Sequence, residues 1–381
     1  MAAPAPFRIA VPEADLVDLR ERLARTRWPD EVNDEGWSHG TSLAFLKGLA
    51  GYWRDGFDWR AVEARLNRLP QFMLEIDGLP IHFVHVKGKG PNPTPLLISH
   101  GWPGSFVEME RIIPLLTDPG AHGGDPADAF DVVVPSLPGF GFSGRPVAPG
   151  CGPGAIAGMW GRLMTALGYE RFGVQGGDWG SAVSTWTARL MPERVIGAHL
   201  NFLICALKPA ADAPFNEAER AYMASLIHWR DTEGGYFAIQ STRPQTLGYG
   251  LTDSPVALAG WIAEKFRTWS DCGGDIARAV AIDDLLANIA VYWFSGNITS
   301  SLRIYKEHRA APFVIEPGER IVPPVGFAHF PRELLHPPRA YLERAFDVRH
   351  WTEMPRGGHF AAMEQPALLA ADIRAFFRAL G

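Results

Sequence analysis

An α/β fold, a mostly parallel sheet flanked by helices, is predicted by three features of the 381-residue sequence. From Pro95 onward, short apolar runs alternate with helix-like stretches, the order that a parallel sheet with helical crossovers requires. Two of these runs, residues 95–99 and 171–175, lead directly into glycine-flanked turns, His100-Gly101-Trp102-Pro103-Gly104 and Gly176-Gly177-Asp178-Trp179-Gly180. The composition, 47% hydrophobic and 20% charged, is that of a globular chain able to bury a large core.

Residues 1–75 read as a helical meander packed on the rest of the protein. Pro12 stands at a helix start, and Leu16, Leu19 and Leu23 then recur at spacings of three and four, an apolar stripe. Trp28, Trp37, Trp53 and Trp59 are expected to anchor this segment, because large aromatics mark packing. A hairpin follows over 72–86, turning at Asp77-Gly78. Residues 76–204 then form the first part of the core, with strands at 95–99, 130–135 and 171–175. The Pro/Gly-rich loop 144–154 leads into the helix before the last of these strands. A helical cap is expected over 205–295. It includes the helix-like run 211–229 and a helix over 253–269, which Asp253 or Ser254 caps ahead of Pro255. Residues 296–381 complete the core and end in a helix over 366–380.

The turn at 176–180 fits a nucleophile elbow, in which a sharp strand-to-helix bend lifts one side chain clear of the sheet and small neighbours tolerate the strained backbone. The residue at its apex is Asp178. A carboxylate displaces a leaving group at an sp³ carbon and forms an alkyl ester that water must then cleave, so epoxides and alkyl halides are the natural electrophiles. The His100 to Gly104 turn is of the kind that follows the third strand of α/β hydrolases. Its Trp102 N–H and the N–H of Trp179, next to Asp178, could together hold an oxyanion. Among twelve histidines, His359 in Arg356-Gly357-Gly358-His359-Phe360 alone follows the last expected strand, where a glycine-flanked loop can bring an imidazole to the strand ends. Spacing alone does not choose the acid that would orient it from Asp283, Asp284, Glu307, Glu316, Glu319, Glu333 and Asp347.

These motifs, in this order, resemble the epoxide hydrolases of the α/β-hydrolase superfamily, and most closely the microsomal and juvenile-hormone branch with its extended N-terminal segment. Trp53-Arg54-Asp55-Gly56-Phe57-Asp58-Trp59-Arg60, Leu137-Pro138-Gly139-Phe140-Gly141-Phe142-Ser143 and Gly357-Gly358-His359-Phe360-Ala361-Ala362 carry the likeness, which runs from about Pro6 to Leu380. It implies an α/β-hydrolase fold with a helical cap, Asp178 as nucleophile and His359 as base. In the family pattern the acid sits in Phe-Pro-x-Glu-Leu, matched here by Phe330-Pro331-Arg332-Glu333-Leu334, so Glu333 is the implied acid and Asp347 the fallback. Of eight tyrosines, Tyr236 and Tyr305 match the cap positions that hold the epoxide oxygen, since an alkoxide is a poor leaving group near neutral pH. The implied reaction turns an apolar epoxide, with an aryl-substituted one as the narrowest reading, into a vicinal diol without cofactor or metal.

Two other readings compete. A haloalkane dehalogenase would use Trp179 as a halide donor in place of the tyrosine pair, and a non-catalytic ligand-binding module would need no intact nucleophile, acid and base. A net charge of −6 and a pI near 6.1 offer no basic field for nucleic acid. Three scattered cysteines, Cys151, Cys205 and Cys272, suit a reducing cytoplasm and indicate neither a disulfide framework nor a metal site. The start, Met1 to Arg8, lacks a signal pattern, and no apolar run approaches membrane-spanning length. Membrane attachment of the microsomal kind is therefore not expected. The expected partners are an epoxide and water, and a homo-oligomer is left open.

Overall fold

A computed structural model describes residues 3–32 and 36–381; Met1, Ala2 and residues 33–35 of the N-terminal reading lie outside them. The strands are β1 (Ala5–Phe7), β2 (Gln71–Ile76), β3 (Leu79–Val86), β4 (Thr94–Ser99), β5 (Phe130–Pro135), β6 (Phe172–Gly176), β7 (Val195–Leu200), β8 (Ala206–Leu207), β9 (Val314–Ile315), β10 (Ile321–His329) and β11 (Phe346–Glu353). Among the described residues, nine form one sheet in the order β1-β2-β3-β5-β4-β6-β7-β10-β11, while β8 pairs with β9. The strands from β5 to β11 are parallel, and the first three join as antiparallel neighbours. Every residue of β5 and β6 is buried, as expected of parallel strands covered by helices on both faces.

The N-terminal segment is not helical throughout, because Ala5–Phe7 pairs with Gln71–Met73 and extends the sheet edge. Helix Glu13–Ala24 starts after Pro12 and buries Leu16, Leu19 and Leu23. It packs on helices Leu43–Asp55 and Pro255–Trp269. Of the four tryptophans expected as anchors, Trp53 and Trp59 are buried. Trp28 and Trp37 stay half exposed, beneath the cations of Lys47 and Arg267. The β2–β3 hairpin turns at Asp77-Gly78, both with positive φ.

A helical layer spans Glu217–Thr232, Gly235–Thr242, Pro244–Asp253, Pro255–Trp269, Ile282–Ser295 and Ile298–Ala310. The first helix begins later than the 211–229 pattern suggested, because Asn216 and Glu219 form a reciprocal capping box that fixes the start. Ser254 caps the fourth, its side chain accepting from the Ala257 N–H at 3.1 Å. The edge drawn at 295 falls at left-handed Gly296, a break between two helices of this layer. Helix Ile298–Ala310 packs on Gly235–Thr242 and Pro244–Asp253. No helix among the described residues is long and apolar enough to cross a membrane.

The chain leaves β4 toward β5 on one side and returns to β6 on the other, so a crevice opens at the carboxyl ends of β4 and β6. Ser99 and Gly176 are paired there. Helix Asp178–Leu190 starts two residues later, and Asp178 itself has φ +45°, a left-handed backbone that is costly for any residue with a side chain. Its neighbours are small for steric reasons. A Cβ at Gly180 would stand 1.9 Å from the Ser99 carbonyl oxygen, and one at Gly176 would stand 2.2 Å from the Gly180 backbone. Gly180→Ala is therefore expected to cost roughly 1–3 kcal/mol, as overpacking does. Urea unfolding checks this; an unchanged midpoint would mean that the strand and helix can part without penalty.

Candidate active site

Each motif residue arrives at the same edge because it follows a parallel strand. Trp102 lies after β4, Asp178 after β6, Glu333 after β10 and His359 after β11. The Trp102 N–H donates to Asp178 Oδ1 at 2.7 Å. His359 Nε2 lies 3.4 Å from Asp178 Oδ2, and His359 Nδ1 donates to Glu333 Oε1 at 2.6 Å. Glu333 Oε1 also accepts from the Leu334 N–H at 2.7 Å. Glu333, and not Asp347, is therefore the carboxylate on the imidazole. Asp347 lies at the beginning of β11 and accepts instead from Arg349 Nε at 2.8 Å.

Packing holds the imidazole ring from two sides. Trp269 meets it edge-on at 5.0 Å between centroids and Phe202 at 5.4 Å. Burial disfavours the charged ring, yet Glu333 and Asp178 together outweigh burial and hold the His359 pKa well above the ordinary imidazole value. His100 is different. Its Nδ1 faces the Gly101 carbonyl at 3.0 Å and its Nε2 accepts from the Leu137 N–H at 3.2 Å, while burial lowers its pKa to about 4. It is a neutral tie between two loops. The same turn is pinned from above: Asn288 Nδ2 donates to the Pro103 carbonyl at 2.7 Å and the Tyr292 hydroxyl to the Gly104 carbonyl at 2.6 Å.

Tyr236 and Tyr305 come from helices Gly235–Thr242 and Ile298–Ala310 and line one chamber of ≈ 250 Å³ with Asp178, Trp179, Phe202 and Phe237. Their rings lie 5.8 Å apart. Tyr236 stacks on Trp102 at 5.5 Å, and Tyr305 meets Trp179 edge-on at 4.7 Å. Burial, reinforced by Asp178, raises both phenol pKa values well above 10, so both hydroxyls stay protonated at neutral pH. Trp179 contributes its indole to the chamber wall, with Nε1 buried and without a hydrogen-bond partner among the described residues.

The chemistry-bearing residues that sequence reasoning passed over are Glu108, Lys265 and Glu364. Glu108 is buried, lines a cavity of ≈ 20 Å³ with Asp178, Asn201 and His359, and is pushed by burial up to about 8. A Cβ at Gly104 would stand 1.4 Å from its Oε1, so the glycine makes room for the acid. Its signal was a lone carboxyl in the apolar run Phe106-Val107-Glu108-Met109. Lys265 is buried with its ammonium 4.6 Å from the Tyr236 ring centre, a contact that no sequence spacing discloses. Glu364, in Ala361-Ala362-Met363-Glu364, gives no local signal, because the Asp271 N–H that it accepts lies 93 residues away.

A family model described as the epoxide hydrolase N terminus matches residues 4–109, and one described as the alpha/beta hydrolase fold matches residues 94–244. A provisionally named epoxide hydrolase of Stigmatella aurantiaca is 46% identical over 98% of this chain and 85% of its own. Epoxide hydrolase 1 of Sus scrofa is 40% identical over 97% of this chain and 88% of its own. The crystal structure of juvenile hormone epoxide hydrolase from Bombyx mori superposes with a TM-score of 0.86 at 31% identity, covering 100% of this chain and 95% of that one. With its nine-stranded, mostly parallel sheet and relatives matched along nearly their whole length, the chain belongs to the epoxide hydrolases, enzymes on the α/β-hydrolase fold.

Proposed function

We propose that the enzyme opens an apolar epoxide by attack of Asp178 and releases a vicinal diol by hydrolysis of the resulting ester. The observation that carries this reading is the carboxylate of Asp178, held at one oxygen by the Trp102 N–H, faced at the other by His359, and sharing its chamber with two protonated tyrosines. Tyr236 and Tyr305 hold the epoxide oxygen, and one of them gives it a proton as Asp178 attacks a ring carbon. Water then adds to the ester carbonyl. One of its protons goes to His359, whose charge Glu333 stabilises. The adduct then breaks the bond between the carboxyl carbon and the alkoxide oxygen. The alkoxide takes the second water proton to leave as diol and free the Asp178 carboxylate, and the proton on His359 replaces the one that the tyrosine gave up. Trp102 and Trp179 N–H groups are assigned to the oxyanion; of the two, Trp102 already makes the bond to Asp178. The ≈ 20 Å³ cavity beside Glu108 has room for about one water and suits the hydrolytic one.

A chamber of ≈ 250 Å³ walled by Phe202, Leu226, Phe237 and Phe313 favours an apolar substrate, of which a phenyl-substituted epoxide is a fair size match. The three cysteines are free, which suits a reducing cytoplasm. Displacement of halide by the same carboxylate is the second reading, favoured by the unpaired Trp179 indole N–H in the chamber wall.

A single turnover of excess enzyme with styrene oxide in ¹⁸O-water tests the scheme. Unlabelled diol with label entering the Asp178 carboxylate is the expected result; labelled diol with unlabelled Asp178 would replace ester formation by direct water attack. Turnover of a haloalkane with no diol from any epoxide would favour the second reading. Tyr236→Phe and Tyr305→Phe should each slow ring opening on the order of 10²-fold, measured as the rate of ester appearance. Loss confined to ester hydrolysis would remove the tyrosines from their assigned role. The pH dependence follows from His359. Alkylation removes the Asp178 charge that helps to raise the imidazole pKa, so the ring gives up its proton more readily in the ester than in the free enzyme. Hydrolysis should therefore fall as pH drops through the ester-state pKa of His359, while ring opening shows no matching acid limb from that group. Rapid-quench measurement of both steps across pH would reveal a shared limb if His359 were needed in each.

A further inference from the structure

We infer that Glu364 is a positioning residue for the hydrolytic half-reaction, fixing the His359 loop to the helical layer; this rests on the two-step reading above. Four successive amides of that loop donate outward. Gly357 N–H donates to Asp271 Oδ2 at 2.9 Å, Gly358 N–H to Glu364 Oε2 at 3.0 Å, His359 N–H to the Trp269 carbonyl at 2.9 Å and Phe360 N–H to Glu364 Oε1 at 2.9 Å. Glu364 thus takes the amides on both sides of His359. Its Oε2 accepts a third, the Asp271 N–H, at 2.8 Å, just beyond helix Pro255–Trp269. A single carboxylate therefore joins the histidine loop to the element that also supplies Trp269, the edge-on neighbour of the imidazole. The seam is tight. A Cβ at Gly358 would stand 2.6 Å from the Trp269 carbonyl oxygen.

Only a carboxylate serves all three donors, because both of its oxygens accept; a glutamine would present an N–H₂ group to at least one of the amides. Buried amides left unpaired are costly, so the loop would shift to recover partners. Asp178 keeps its elbow and the Trp102 N–H when this loop shifts, and loses only the 3.4 Å approach of His359 Nε2 to Oδ2. Ring opening uses Asp178 and the tyrosines, whereas His359 enters as base only at the ester. Disturbing Glu364 should therefore divide the two steps.

The carboxyl is also poised to titrate. Burial pushes it up, the Asp271 and Phe360 amides pull it down, Glu333 raises it and His359 lowers it, leaving it at about 7. The other charged groups on this seam are Asp271, with Arg332 Nε 3.7 Å from its Oδ1, and Glu108, on the Phe106–Met109 turn packed against helix Ala361–Glu364. Protonation turns one acceptor into a donor, so the acid limb of hydrolysis carries two protons, one on His359 and one on Glu364.

Glu364→Gln, assayed with styrene oxide by steady-state kinetics and rapid-quench mass of the Asp178 peptide, tests this. The expected result is a kcat lower by about 10- to 100-fold, KM lower in parallel, kcat/KM nearly unchanged, and Asp178 present mainly as ester at steady state. The acid limb should also drop from a slope near two to a slope near one. A parallel fall of kcat and kcat/KM without ester, or an unchanged partition, would overturn the inference. Absence of ¹⁸O from Asp178 after a single wild-type turnover in labelled water would instead overturn the two-step reading itself. Should Glu364→Gln fail to fold, Asp271→Ala removes the acceptor for Gly357 N–H together with the partner of Arg332, keeps the backbone N–H that Glu364 accepts, and should shift the partition the same way by a smaller factor; an unchanged partition there counts against Glu364.

Discussion

The left-handed backbone at Asp178 is the constraint on which the rest of the site is built. A side chain in that conformation carries strain that only surrounding packing can hold, and here the packing is the pairing of β4 with β6 and the close approach of Gly180 to the Ser99 carbonyl. From that point the carboxylate stands clear of the sheet, within reach of an N–H from the turn after β4 and an imidazole from the loop after β11. Gly101 belongs to the same arrangement, since a Cβ there would lie 2.2 Å from Asp178 Oδ1. Glycine in these motifs is thus a record of where the Asp178 side chain has to go.

Electrostatics divides the buried groups by task. His359 lies between two carboxylates and is drawn toward its charged form, whereas Tyr236 and Tyr305, in an aromatic enclosure, are kept neutral. The opposing shifts favour protonated hydroxyls on the chamber side and a protonated imidazole beside the Asp178 carboxylate, as the proposed scheme requires. On the proposed scheme, alkylation of Asp178 would alter that balance by removing one negative charge, so the first step would prepare the second.

Much of this was legible in the chain because a parallel sheet turns linear order into place: whatever follows a strand lies at the carboxyl edge. Asp178, His359 and the Trp102 turn were readable on that rule. Glu333 and Asp347 were separated in the sequence only by resemblance, yet strand direction separates them in space. Glu333 follows β10, whereas Asp347 opens β11 and so belongs to the opposite edge. The tyrosines sit on helices whose mutual placement no local pattern encodes, and the 211–229 helix was misjudged at its start because a capping box competes with apolar spacing. Glu108, Lys265 and Glu364 were opaque for a related reason. Each takes its meaning from a partner more than 20 residues away or from cavities that exist only after packing, and a carboxyl in a short apolar run reads the same whether it is solvated or enclosed. Trp28 and Trp37 are half exposed, yet Trp28 packs against the core and Trp37 on Phe45, so size announced an anchor without announcing its burial.

The turn that carries Trp102 is pinned by Asn288 and Tyr292, and the loop that carries His359 is pinned at Trp269 and Asp271, so the helices roofing the chamber also brace the machinery beneath it. Roof and floor therefore share parts. Selectivity and rate cannot be redesigned as independent modules in such a scaffold: transplanting a whole helix to enlarge the chamber would release the braces along with the walls. Changes confined to a wall side chain such as Leu226, which makes none of these hydrogen bonds, leave the supports in place, whereas Phe237 also packs edge-on against Tyr305 at 5.3 Å. The evolvable surface of the enzyme is accordingly narrower than its chamber, and it is scattered residue by residue.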